Sequence, residues 1–122
     1  MSRHARLVAA FSLARMSYGV ALLAVPERVG RSWLGEAATL APVKVALRGL
    51  GARDLALSAG ALVQATDPGR ARPWLLAAVA CDLGDIAATV GAGDALSERS
   101  RAGTVALAGG SALAGAALAR AG

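Results

Sequence analysis

Apolar residues along this chain come in long runs, not in alternation, and turn residues divide the runs. The first run covers about residues 5–25 and stops at Pro26, which cannot extend a helix without losing a backbone hydrogen bond. The second covers about 42–65. It opens on Pro42, a residue type favoured in a first helical turn, and ends at Thr66-Asp67-Pro68-Gly69. The third covers about 73–91, beginning near Pro73. A polar turn from Gly93 to Arg99 leads to the fourth, about 100–119, with Ser100 as the expected N-cap. Each run is about 18–23 residues long. As a helix that is roughly 27–35 Å, which matches a hydrocarbon core of about 30 Å.

The pattern therefore predicts an all-α fold, a bundle of four transmembrane helices in a single domain over residues 1–122. The connection from Glu27 to Ala41 is longer than the others. Its segment Pro26–Leu34 mixes charge with Trp33 and reads as a short interfacial helix, with Trp33 at headgroup level and Trp74 as a second interface anchor. The fourth run carries no charge between Ala102 and Ala119. It offers two series of small residues, Ser111, Gly115, Ala119 and Ala108, Ala112, Ala116, that can seat a neighbouring helix closely.

Composition sharpens this picture. Hydrophobic residues make up 56% and charged residues 17%, with 15 Gly and only two Trp, one Tyr and one Phe. A soluble Ala-rich bundle would need wide polar helix faces, which the first, third and fourth runs lack. The net charge of +5 is spread along the chain with no polybasic run and no interleaved aromatics. That reads as membrane-flanking charge and argues against nucleic-acid binding. Cys81 is alone, so no internal disulfide forms, and it reads as a small buried residue. His4 is the only His and lies in the N-terminal tail, which argues against His-based haem or zinc sites. No cofactor is expected. Arg3 and Arg6 precede the first run, but Arg15 interrupts it and no cleavage site follows, so the segment reads as a membrane helix and not a signal peptide.

The candidate chemistry lies in the middle of these helices. Arg15 sits at the middle of the first run, Arg53 and Asp54 at the middle of the second with Arg48 before them, and Asp82 and Asp85 at or just past the middle of the third. Ionisable residues at membrane depth cost about 2.5–3.5 kcal/mol each on insertion scales, so they face inward and pair. Three positive and three negative charges predict one neutral interhelical network. With antiparallel neighbours, Arg48 lies roughly 7 Å and Asp85 roughly 4 Å from the midplane on the same side, which pairs them. Arg15, Arg53, Asp54 and Asp82 share the central level.

Leu47-Arg48-Gly49-Leu50-Gly51-Ala52-Arg53-Asp54-Leu55-Ala56-Leu57, Trp74-Leu75-Leu76-Ala77 and Asp82-Leu83-Gly84-Asp85 resemble a domain-of-unknown-function family of small four-helix membrane proteins common in actinobacteria. The segment Pro26 to Leu34 fits that pattern too. The resemblance implies the fold and a multi-pass location in the cell membrane, and brings no activity with it. The chain is also similar in size to the small multidrug-resistance exporters, but they carry a Glu in the first membrane helix where this sequence has Arg15 and no acid.

The leading expectation is a non-catalytic protein that works by helix association, as a homodimer, another homo-oligomer or a subunit of a larger membrane complex. The alternative is a small proton- or ion-coupled transporter or channel using the mid-membrane Asp and Arg residues. A third is a metal-dependent lipid-modifying enzyme using Asp82 and Asp85. A cavity reaching Asp82 would favour the transporter. The flanking basic residues are tied at five against five, so charge does not set orientation.

Overall fold

The computed structural model describes all residues from Met1 to Gly122, and it is almost wholly helical. Five α-helices follow in order: α1 (Arg3–Ala24), α2 (Pro26–Leu34), α3 (Ala41–Val63), α4 (Pro68–Gly91) and α5 (Glu98–Ala121). Short 3-10 turns at Gly35–Thr39 and Gly93–Ala95 complete two of the connections.

The boundaries follow from local chemistry. The Ser2 side chain accepts from the Ala5 N–H and caps α1. Val25, placed before a proline, leaves helical space at φ −133° and ψ 60°, so α1 stops and Pro26 opens α2. Gly35 takes φ 64° and ends α2.

Two boundaries differ from the sequence expectation. The third long helix starts at Pro68, not near Pro73, because the Asp67 side chain accepts from Arg70 N–H and Pro68 fits the first turn. Pro73 lies within α4 on its exposed side, where it forfeits one backbone bond. The N-cap of α5 is Ser97, which accepts from the Ser100 N–H, so Ser100 lies inside the first turn and is not the cap. His4 likewise belongs to α1 and not to a tail. Its ring Nε2 donates to the Leu118 carbonyl at 2.9 Å and ties the two chain ends together.

The four long helices form a ring in chain order, each antiparallel to the next. Val8 packs with Ala61 of α3 and with Ala65 in the turn after it, and Leu75 of α4 meets Ala119 of α5 in the same apolar cluster, which fills the end of the bundle near the termini. A second cluster of Leu22, Ala38 and Leu47, with Val29, Trp33 and Leu34 against it, fixes α2 across the opposite end.

The closest helix approach is α1 on α3. A Cβ on Gly19 would fall 2.7 Å from the Gly51 carbonyl oxygen, and one on Gly51 would fall 2.6 Å from the Gly19 oxygen. Glycine at both positions lets backbone touch backbone, as membrane helices do. In α5 the buried small residues are Ala112, Gly115 and Ala119, one member of one expected series and two of the other. Trp74 packs against Gly60 of α3.

Three helices, α1, α4 and α5, are long and apolar enough to cross a membrane, which points to a membrane protein. The expected fourth span, α3, has the length but carries Lys44, Arg48, Arg53 and Asp54. Large apolar side chains face outward on every long helix, among them Leu13, Val45, Val63, Leu83 and Leu113.

Candidate functional site

At the middle of the bundle the inner faces of all four long helices turn polar at one level. Arg15 of α1 is the hub. Its guanidinium lies 2.8 Å from the Asp82 carboxylate of α4 and 3.3 Å from that of Asp54 on α3. It also donates to the Ser111 hydroxyl of α5 at 2.6 Å. Phe11, one turn earlier, places its ring centre 5.7 Å from the Arg15 Cζ. The Arg15, Asp54 and Asp82 side chains are 11%, 9% and 8% exposed, so the hub is largely buried. Arg53 extends the network outward, 3.0 Å from Asp85 and 3.4 Å from Asp54. Charge-assisted contacts of this kind, several to one guanidinium, satisfy groups that could not remain unpaired at this depth.

Five of the six residues expected in the network are brought together. Arg48 is not, and its expected pairing with Asp85 does not form. Asp85 binds Arg53, while the Arg48 Nε donates to the Leu23 carbonyl at the end of α1, 3.2 Å away. Depth along the helix axis was the right measure only for the central group. Arg48 and Arg53 are separated by five positions, which is about 140° of rotation. Arg53 therefore flanks α4, Arg48 flanks α1, and the long Arg48 side chain reaches for the bundle end.

The charge balance changes with it. Arg15 and Arg53 face Asp54, Asp82 and Asp85, two positive charges against three negative, so the fully ionised network is net −1 and not neutral.

The network also forms the floor of a cavity of ≈ 680 Å³. Arg15, Asp54, Asp82 and Asp85 line it together with Tyr18 of α1 and Ser111 of α5. From that floor it runs along α5, past Leu107, Thr104 and Gly103, to Ser32 and Trp33 of α2. On the other side the Val8, Ala61, Leu75 and Ala119 cluster closes the bundle. Its walls are α1 and α5, whose mutual contact is sparse, and Ser32 and Trp33 of α2 bound it at the far end.

Trp33 lies at the α2 end of the bundle, near the last turn of α4. It turns inward, and its indole N–H donates to the Thr89 hydroxyl of α4 at 3.0 Å, at the wall of the same cavity. The hydroxyls of Ser12 and Ser58, buried one turn from the hub, have no protein partner. Cys81, expected to be buried, is partly exposed.

Ser111 and Trp33 are parts of the site that sequence reasoning assigned to packing and to the interface. The signal for Ser111 was its near-central place in the uncharged stretch from Ala102 to Ala119. No signal in the sequence placed Trp33 over the cavity. Asp82 and Asp85 hold different arginines, and no group of three or more His, Cys, Asp or Glu side chains is placed to hold a metal ion.

A scan against protein-family models found no matching family, and searches of curated proteins and of solved structures found no match.

Proposed function

We propose that the chain is a four-span membrane protein that admits a proton or a small cation to a polar site at mid-membrane, as a small transporter or channel. The observation that carries this is the cavity whose floor is the Arg15–Asp54–Asp82–Asp85 group with one carboxylate in excess. A purely structural ion-pair network gains nothing from an open cavity or from an uncompensated charge in lipid. A proton or cation arriving through the cavity would neutralise it. Transporters place such sites near the midplane, and here the cavity floor lies at the middle of the long helices, with apolar packing closing the end near the termini.

The fourth span is α3. It lies antiparallel between α1 and α4 and matches them in length. Its charges face the network or reach the bundle end, where Lys44 sits 3.3 Å from Glu27. The association reading draws less support, since Gly19, Gly51 and Gly115 are used within one chain.

The test is reconstitution into liposomes that carry an internal pH or cation indicator. Under an imposed membrane potential the wild type should pass protons, Na⁺ or K⁺, and Asp54→Asn, which removes the excess charge while leaving two arginines with two carboxylates, should not. Protein-free and wild-type liposomes that leak equally would contradict the proposal.

A further inference from the structure

The residue that leaves the central network has a second setting. Arg48 lines a separate cavity of ≈ 440 Å³ at the bundle end where α1 stops, together with Glu27, Arg28, Arg31 and Lys44. Four cations and one carboxylate line it, and Glu36 lies 4.0 Å from Arg31, so the local charge is +2 with Glu36 counted. Glu27 is fully engaged, 2.9 Å from Arg31 and 3.3 Å from Lys44. Arg28 makes no salt bridge or side-chain hydrogen bond, and Arg48 uses only its Nε, on the Leu23 carbonyl. That bond also shields a carbonyl at the C-terminus of α1 which would otherwise repel an anion. Two guanidiniums therefore face the cavity with free N–H groups, the arrangement that holds a phosphate.

We infer that this cavity binds the phosphate of an anionic phospholipid headgroup. The choice of a lipid over a free phosphate rests on what surrounds the cations. Val25 lies in the cavity wall and is 41% exposed, and Val45, beside Lys44, is 69% exposed. Apolar surface meets cations where a headgroup joins its acyl chains. Arg48 lies about 10 Å along α3 from its start, so its side chain reaches toward the headgroups from below. Basic pockets at membrane-helix ends recognise lipid phosphates in this way. The inference rests on the membrane reading but not on the ion site.

The experiment is native mass spectrometry of the protein from detergent, titrated with phosphatidylglycerol, with phosphatidylcholine, and with phosphatidylglycerol in the presence of inorganic phosphate. The wild type should prefer phosphatidylglycerol. The double variant Arg28→Gln, Arg48→Gln should lose about thirtyfold in affinity, equivalent to about 1 kcal/mol for each arginine. Arg28→Gln alone, which breaks no contact within the chain, should lose part of it and fold normally. Equal binding of the two lipids would overturn the site, and so would a double variant that keeps the preference. Competition by free phosphate at equal concentration would overturn the lipid assignment. A protein that binds neither lipid would overturn the site, whereas one that stays soluble without detergent would contradict the membrane reading itself.

Discussion

Arg15 is the residue on which most of the buried charge depends. It balances Asp82 and Asp54 and holds Ser111, so it joins all four long helices at one level. Replacing it with Leu leaves two carboxylates without their closest cation. Breaking a buried pair from one side costs about 3–5 kcal/mol in soluble proteins, and somewhat less in lipid because bilayer thinning and water relieve it. Arg15→Leu should therefore lower the detergent melting temperature sharply. Asp54→Asn should cost less than about 1 kcal/mol, because it restores neutrality and keeps a hydrogen-bonding group. Similar losses in the two variants would refute the hub. A double-mutant cycle separates the arginines of α3: Arg53→Leu with Asp85→Leu should fall well short of the sum of the single losses, whereas Arg48→Leu with Asp85→Leu should add. The sequence disclosed five members of this network, because charges are conspicuous in apolar runs. It did not disclose that Arg48 faces another helix, because depth along an axis is readable from spacing while rotation around it depends on which residues face inward.

At the scale of the helices, the approach of α1 to α3 depends on two glycines in direct backbone contact. Neither can yield to a new side chain by changing rotamer, so Gly19→Ala or Gly51→Ala should destabilise by about 1–3 kcal/mol. Gly49→Ala and Gly84→Ala point into open space and should be neutral or slightly stabilising, since alanine favours the helix. Thermal melting of the four variants in one detergent checks the contrast. The connection from α2 to α3 should respond to acid. Hydrogen bonds from Lys44, and next from Arg31, hold the Glu27 carboxyl below the usual carboxylate range. A lowered folded-state pKa contributes stability that is present above the ordinary glutamate range and lost as pH falls through the lowered value. Acidification should loosen α2 from α3 in the wild type and change little in Glu27→Gln. Amide hydrogen exchange at Arg28 and Arg31 would report it. The long helices were legible from their apolar runs and prolines, and their ends less so. Pro73 resembled a helix start because proline is favoured there, yet Asp67 and Pro68 supply a better cap five residues earlier.

At the scale of the whole molecule, the number of spans decides how the charges are accommodated. A four-span chain has both termini on one side of the membrane, whereas three spans would put them on opposite sides. Reporter fusions at each terminus should give matching locations, or matched mixtures if the balanced flanking charge allows insertion both ways. Consistent opposition of the two would remove α3 from the bilayer. The bundle as a class was readable from hydropathy, but the cavity was not. It arises because α1 and α5 meet sparsely while α1 packs on α3 and α4 on α5, and such differences between helix pairs leave no mark on a hydropathy pattern. The most direct test of a water-accessible polar site within the membrane compares two positions at one depth of α5. Ser111 lines the cavity beside Arg15, and Leu113, 75% exposed, faces outward. In a Cys81→Ala background, Ser111→Cys and Leu113→Cys would be treated in intact membranes with a small, charged, membrane-impermeant thiol reagent. The expected result is modification of Ser111→Cys from one side of the membrane only, with Leu113→Cys protected by lipid. Modification of both or of neither, or a reversed order, would contradict it.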